Sequence, residues 1–346
     1  MPFRDVIGHR RLTGVLARSV KAGTLPPSLI LGGPAGVGKR CVALALAQAM
    51  NCAAPVSAEQ RITHDGLHPG FDIDACGECA ACRRIARGVH PDVIAIEPGD
   101  SGAIKVDAIR DVIERTGYRP FEGRRRVVLI DDADALVVGA QNALLKTLEE
   151  PPSGSVFLLI TARPDALLAT VRSRCPLLRF GPLSEDEVTA ALVAGGKSEV
   201  EARAAAVVAA GSIGQALAVE AGDLLEARTV AGRVLTRAAS APDPKRRLEV
   251  AKDLLEKTGA GGAGDREQLA AHLRAMSALL RDVALLSTRA RAVSLAHPDI
   301  EADIARLTGY AGERGLRAFA AIERALDALG RNASPKIVAD WLVLQL

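Results

Sequence analysis

Short apolar runs alternate with amphipathic stretches along the first half of the chain. The runs at 28–31, 93–96, 127–130 and 156–160 predict buried strands. Between them, apolar residues recur every three or four positions, for example at Val106, Ile109, Val112 and Ile113, which predicts helices. Because strands alternate with helices, we predict a parallel sheet covered on both faces, that is, an α/β fold.

The second half of the chain has a helical pattern and no further strand signal after Phe180. Ser184 followed by Glu187 is a capping-box signature that opens the first of these helices. A Gly/Ala linker at 259–264 interrupts the pattern. An apolar stripe at helical spacing follows and predicts core packing: Leu269, Leu273, Met276, Leu280 and Val283. We therefore predict an α/β part followed by an all-α part.

The length and charge of the chain limit its organisation. With 346 residues it is too long for one core, which favours two or three domains. The net charge of +3 argues against a basic arm that grips bare DNA, but leaves a local basic patch open. No apolar run is long enough to span a membrane, and the N-terminus lacks the apolar core of a secretory signal. We expect a cytoplasmic protein.

A glycine-rich segment directly after the first predicted strand carries candidate chemistry. Gly33, Gly36, Gly38 and Lys39 match a phosphate-binding loop, in which backbone N–H groups and the lysine surround phosphates. The full pattern ends in Ser or Thr, whose hydroxyl holds Mg²⁺. Arg40 occupies that position here, and a guanidinium has no lone pair for a metal. The absence of the hydroxyl argues against Mg²⁺-dependent hydrolysis of a bound nucleotide.

Polar residues at two other predicted strand ends belong to the same candidate site. Asp131 ends the 127–130 strand and is placed to support Mg²⁺. Asp132 follows at the position where active ATPases with such a phosphate-binding loop usually have Glu. The Asp side chain is one methylene shorter than that of Glu. Thr161 ends the next strand. The alternative to a nucleotide site is that the glycine-rich turn and the acidic strand end have a purely structural role. The strand, loop and helix context favours a degenerate nucleotide site in which ATP and Mg²⁺ binding are weakened.

A cysteine cluster predicts a metal site. Cys76, Cys79 and Cys82 are separated by two residues each, and Cys52 lies upstream. Four thiolates suit a structural Zn²⁺, whereas an iron–sulfur run would continue with another Cys before a Pro. Three histidines are alternatives to Cys52 as the fourth ligand: His64, His68 and His90.

These motifs, in this order, resemble the clamp-loader branch of the AAA+ ATPases. The resemblance covers about residues 3–220 and rests on the glycine loop, the cysteines and three further segments. Those segments are His90-Pro91-Asp92, the run from Asn142 to Pro152, and Ser173-Arg174-Cys175.

The resemblance implies a domain organisation and a set of partners. We expect an AAA+ domain at 1–181 with a zinc-binding insertion at about 51–90, a helical lid at 182–235 and a helical collar at 236–346. The partners would be gamma/tau and delta subunits in a hetero-pentameric ring that loads a sliding clamp on primed DNA. The chain would then be a component of a DNA-directed DNA polymerase holoenzyme. Arg174 would be an arginine finger, acting in trans on a neighbour's ATP.

Three departures indicate which type of clamp-loader subunit this is. The ATP-hydrolysing gamma/tau type differs from this chain at Arg40, at Asp132 and at Gly214, which stands where that type has a lid arginine. We therefore expect a largely non-hydrolysing ring subunit, with the gamma/tau type as the alternative. A small-molecule kinase is a further rival, but it would need Ser or Thr after Lys39 and would not explain Ser173-Arg174-Cys175.

Overall fold

The computed structural model describes residues 1–57, 71–99, 101–218, 221–241, 243–255, 263–288, 305–331 and 333–346. The chain divides into two compact units. The first comprises Met1–Glu187 and Ser212–Gly214, and the second comprises Val188–Gly211 and Gln215–Leu346. The finer division into a lid at 182–235 and a collar at 236–346 stays a prediction.

A five-stranded parallel sheet organises the first unit. Its strands are β1 (Ser28–Gly32), β2 (Val93–Ile96), β3 (Arg126–Ile130), β4 (Ser155–Thr161) and β5 (Leu177–Arg179). Their spatial order is β2-β3-β4-β1-β5, so β4 lies between β1 and β3. Every residue of β1, β3 and β4 is buried, as expected of strands covered on both faces.

The first unit also contains helices. They are α1 (Arg10–Ala22), α2 (Lys39–Asn51), α3 (Ala80–Ala86), α4 (Val106–Thr116), α5 (Val138–Glu149), α6 (Ala169–Arg172) and the start of α7 (Glu185–Ala194). Leu29 and Leu31 of β1 join a core cluster with Leu46 of α2. Ile30, between them, joins another cluster with Leu144 of α5. The period of two along a strand thus sends alternate side chains to two cores.

The second unit is helical in its described residues. It contains the end of α7, then α8 (Glu199–Val208), the part of α9 (Ile213–Ala218) that follows Gly214, α10 (Ala221–Ser240), α11 (Pro244–Leu255), α12 (Ala263–Thr288), α13 (Glu313–Gly330) and α14 (Pro335–Gln345). The predicted stripe from Leu269 to Val283 is buried in one core cluster. Of the predicted linker at 259–264, residues 259–262 lie outside the described residues, whereas Ala263 and Gly264 begin α12.

The predicted order of an α/β part followed by an all-α part is confirmed. The capping box is also present, since Ser184 Oγ accepts a hydrogen bond from Glu187 N at 3.2 Å and Ser184 N donates to Glu187 Oε2 at 2.9 Å. The prediction missed β5, a three-residue strand that offers too short an apolar run to recognise. No described helix is long and apolar enough to cross a membrane.

Candidate nucleotide site and metal centre

The sheet brings the predicted nucleotide residues to one edge. Because all strands are parallel, their carboxyl ends lie side by side, where ligands bind in open α/β sheets. Gly32 pairs with Thr161, and Ile96 pairs with Ile130. The residues that follow these strands, Glu97 and Asp131, are consequently neighbours.

The glycine loop requires glycine on steric grounds at two positions. A Cβ on Gly33 would lie 2.2 Å from the Phe180 carbonyl oxygen. Gly36 has a φ of 73°, a left-handed conformation that disfavours a side chain. The sequence pattern therefore builds a tight curl of backbone between β1 and α2, as a phosphate-binding loop requires.

Lys39 is folded back onto this loop. Its side chain is buried, and Nζ donates hydrogen bonds to the carbonyl oxygens of Gly33 and Pro34, both at 2.6 Å. Burial lowers the pKa of Lys39, while the nearby carboxylates of Asp132 and Asp131 oppose this shift. The ammonium group is therefore satisfied by the loop itself.

Arg40 lies between two carboxylates at the position where the metal-binding hydroxyl would be. Its NH1 atom contacts Asp131 Oδ2 at 2.6 Å and also forms a hydrogen bond with Glu97. Burial opposes the charge, but the hydrogen bonds with Glu97 and Asp131 outweigh it and raise the pKa of the guanidinium. A fixed positive charge thus neutralises the carboxylate that would support Mg²⁺.

Glu97 was not predicted as part of the site. The sequence signal was its position directly after the apolar run at 93–96, that is, at the end of a predicted strand. In the structure that strand pairs with β3 in register. Parallel pairing then places it beside Asp131.

Thr161 and Asp132 also lie at this edge. The Thr161 hydroxyl donates to Asp134 Oδ1 at 2.7 Å, and Arg163 contacts the other oxygen of Asp134 at 2.9 Å. Asp132 has a φ of 46°. Burial raises the pKa of Asp132, with Asp131 adding to the effect. Asp134 and Arg163 were not predicted, and both lie within three residues of a predicted one.

Gly214 packs directly on the glycine loop within the first unit. Its N–H donates to the Gly36 carbonyl oxygen at 2.9 Å. A Cβ at this position would lie 3.1 Å from Gly36 Cα and 3.3 Å from Gly36 O. A side chain such as arginine would therefore require the loop to shift.

Arg174 lies on the surface of the first unit. Its Nε donates to Glu149 Oε1 at 2.7 Å, and NH1 donates to the Thr170 carbonyl oxygen at 2.8 Å. The Glu149 side chain is about half exposed, at 49%. An exposed ion pair of this kind contributes about 0–1 kcal/mol, so its guanidinium can exchange partners at low cost.

The four predicted cysteines form one cluster. Their Sγ atoms all lie within 4.8 Å of one another, with 4.0 Å for Cys52–Cys79 and for Cys76–Cys82. Zn–S bonds of about 2.3 Å in a tetrahedron require S–S distances near 3.8 Å, so the donor set fits a tetrahedral metal ion. Burial opposes ionisation, yet backbone N–H donors lower the pKa of Cys79 to about 6. The cluster can hold a metal.

The N-terminal segment fixes the cysteine loop. Arg4 NH1 donates to the Ala75 carbonyl oxygen at 2.7 Å and to Asp74 at 3.1 Å. Arg4 NH2 donates to the Cys76 carbonyl oxygen at 2.9 Å. These contacts fix the backbone of the loop that carries Cys76.

The histidine alternatives do not join this cluster in the described residues. His90 is buried, accepts from Asp92 N through Nδ1 at 3.2 Å, and lies 3.5 Å from Glu122. His64 and His68 lie outside the described residues.

The strand order, the glycine loop after β1 and the acidic pair after β3 define a P-loop protein of the AAA+ class. The family model described as "DNA polymerase III, delta subunit" matches residues 8–184. The DNA polymerase III subunit delta' of Escherichia coli K12 is 30% identical over 306 residues, which cover 88% of this chain and 83% of that protein. The chain therefore belongs to the delta-prime family of DNA polymerase III subunits.

Other relatives match shorter segments. The DNA polymerase III subunit delta' of Pseudomonas aeruginosa is 42% identical over 147 residues, covering 42% of this chain and 40% of that protein. The subunit tau of Bacillus subtilis is 34% identical over 187 residues, covering 54% of this chain and 30% of that protein. The match thus spans less than half of either relative. A gamma subunit-related protein from Thermotoga maritima aligns with a TM-score of 0.46 at 19% identity, over 96% of this chain and 97% of that structure.

Proposed function

We propose that the chain is a clamp-loader subunit that does not hydrolyse ATP itself. It would complete a hetero-pentameric ring with gamma/tau and delta subunits. The ring would use ATP bound to the neighbouring subunits to load a sliding clamp on primed DNA. In this proposal the all-α part supplies a lid at 182–235 and a collar at 236–346 that joins the subunits.

The observation that carries the proposal is the ion pair of Arg40 with Asp131 and Glu97. A guanidinium between these carboxylates competes with Mg²⁺ for the same oxygens, and phosphoryl transfer depends on that metal. Asp132 is a short substitute for the glutamate that polarises water, and Gly214 supplies no lid arginine. All three features argue against catalysis in this subunit.

Arg174 is proposed to act on a neighbour's ATP. Its planar, permanently charged side chain suits a phosphoryl group, and it lies at the surface, where it contacts Glu149 and the Thr170 carbonyl oxygen. Because that ion pair is exposed, exchange of the carboxylate for a phosphate is inexpensive.

The metal is proposed to be one Zn²⁺ held by Cys52, Cys76, Cys79 and Cys82. Such an ion would cross-link α2 with the loop that leads into α3. With four protein ligands it leaves no open position for a reactant, so its role is structural.

ATP turnover by the purified chain, with Lys39→Ala beside it, tests the proposal. A gamma/tau subunit assayed in parallel provides the positive control. We expect both versions of this chain to show background turnover. Robust Mg²⁺-dependent hydrolysis that Lys39→Ala abolishes would instead identify the gamma/tau-type alternative.

A further inference from the structure

The connection between α4 and β3 presents arginine and aromatic side chains on the surface of the first unit. We name residues 115–125, from the last turn of α4 to the start of β3, the arginine loop. Tyr118 and Phe121 in this loop are 72% and 82% exposed. The loop contains one acidic residue, Glu122, and four exposed arginines: Arg115, Arg119, Arg124 and Arg125.

Buried charges hold the backbone of the arginine loop in one conformation. Asp92, which is fully buried, accepts hydrogen bonds from the N–H groups of Phe121, Glu122 and Gly123 at 2.7, 2.9 and 2.8 Å. The guanidinium of Arg126 pairs with Asp92 at 3.1 Å and donates to the Tyr118 and Arg119 carbonyl oxygens. The backbone polar groups are therefore satisfied inside, and the exposed side chains have a rigid base.

The exposed arginines have no partner of their own in the part of the chain that the structure describes. No carboxylate pairs with the guanidinium of Arg119, Arg124 or Arg125. Glu122 is already paired with Arg84 at 2.8 Å, and a further acid, Glu114, lines a small pocket with Arg115 and Tyr118. The loop is thus a local cationic surface on a chain whose total charge is only +3.

Unpaired guanidinium groups close in sequence to an exposed aromatic ring, on a backbone that hydrogen bonds hold, match the chemistry of single-stranded nucleic acid. Its phosphates pair with arginines, and its unstacked bases offer planar faces to an aromatic side chain. A duplex hides those faces. An acidic protein would supply carboxylates but no planar partner for Phe121.

We propose that the arginine loop binds single-stranded DNA, with its phosphates on Arg119, Arg124 and Arg125 and a base stacked on Phe121. The nucleotide site and Arg174 play no part in this binding, so the inference does not rest on the function proposed above.

Fluorescence anisotropy of the full chain with a labelled oligothymidylate of about 16 nucleotides tests the inference. Phe121→Ala should weaken binding by about 5- to 150-fold, which corresponds to the loss of one stacked base. Phe121→Trp should preserve binding, whereas Phe121→Leu should not, because leucine is apolar but cannot stack. The Phe121 side chain is largely exposed and Asp92 contacts only its backbone, so these variants should fold normally.

The arginines are tested by salt dependence. The double variant Arg124→Ala/Arg125→Ala should reduce the slope of log K against log salt by about 1.4, that is, by about 0.7 for each phosphate contact. The matched control is Arg317→Ala/Arg324→Ala on α13, which removes the same charge from exposed positions of the second unit. Its slope should equal that of the wild type.

Three results would overturn the inference. The first is binding that the Phe121 and Arg124/Arg125 variants leave unchanged, and the second is competition by duplex DNA that is as strong as competition by the single strand. The third is no binding to the oligonucleotide, and if Phe121→Ala then also impairs assembly with gamma/tau and delta subunits, the surface has another use. The arginine loop would then be a protein interface.

Discussion

Arg40→Thr should convert a site that does not bind Mg²⁺ into one that does. The substitution removes the guanidinium from between Glu97 and Asp131 and introduces a hydroxyl at the position that the phosphate-loop pattern reserves for the metal ligand. The freed carboxylate oxygens, with Asp132 nearby, form an oxygen-rich negative site whose charge Lys39 compensates only in part. Mg²⁺ prefers such ligands.

The size of the effect follows from the exposure of these side chains. Arg40 and Glu97 are about half exposed, at 49% and 54%, and Asp131 is 18% exposed. Both contacts use the same nitrogen of Arg40, so Arg40→Thr should lower the free energy of unfolding by about as much as the loss of one exposed ion pair, about 1 kcal/mol. That lowers the melting temperature of a unit of this size by about 2–4 °C. Mg²⁺ at about a hundredfold above its Kd would return about 2.7 kcal/mol.

Thermal unfolding in chelator-free buffer without Mg²⁺ and with Mg²⁺ measures both effects, and the omission of chelator leaves the cysteine site undisturbed. Wild type should melt at the same temperature in the two buffers, whereas Arg40→Thr should melt lower without Mg²⁺ and regain stability with it. Arg163→Thr is the matched control, since Arg163 pairs with Asp134 at 2.9 Å and is exposed to a similar extent, at 45%. It should show no response to Mg²⁺. Equal stabilisation of wild type by Mg²⁺, or none for Arg40→Thr, would refute the assignment of Arg40 to the metal position.

Two other predictions concern the first unit. The chain purified without chelator should contain about one Zn²⁺, and Cys79→Ser should lower that content and the melting temperature; metal-free wild type by elemental analysis would contradict the zinc assignment. Burial of Asp92 opposes ionisation, yet three backbone N–H donors and Arg126 lower its pKa from 3.8 to about 2. Asp92 should therefore contribute about 2 kcal/mol of stability that is present above its unfolded-state pKa and is lost as the pH falls through about 2. In urea unfolding, Asp92→Asn should abolish this acid-dependent loss of stability. It should also lower the free energy of unfolding by about 3–5 kcal/mol, because it leaves Arg126 buried without a counter-charge. A pH profile of stability that Asp92→Asn leaves unchanged would contradict this prediction.

The sheet was predictable because its central strands are buried on both faces and are therefore continuous apolar runs. β5 was not, because Leu177–Arg179 is too short and only half-buried for a pattern to stand out. The loss of the hydroxyl at Arg40 could be read from one position of a motif. The ion pair of Arg40 with Glu97 could not, because these residues meet only through the register of β2 with β3.

Contacts between distant segments account for the remaining differences. Gly214 was recognised as lacking the lid arginine, but its hydrogen bond to Gly36 joins residues that are far apart in the sequence. The pairing of Arg174 with Glu149 likewise depends on where α5 ends relative to α6. The cysteine cluster was predicted from spacing, whereas the anchoring of its loop by Arg4 has no local sequence signal.

Reconstitution of the ring with Arg174 variants shows whether Arg174 acts on a neighbour's ATP. Wild type, Arg174→Ala and Arg174→Lys are each assembled with gamma/tau and delta subunits, and DNA-stimulated ATP hydrolysis and clamp loading are compared at matched assembly. We expect both variants to keep their zinc and assemble normally, with the affected neighbouring site losing on the order of 10³-fold in rate. Lysine should not rescue it, since an ammonium lacks the planar fork. If complexes with either variant hydrolyse ATP and load clamps like wild type, Arg174 does not act in trans.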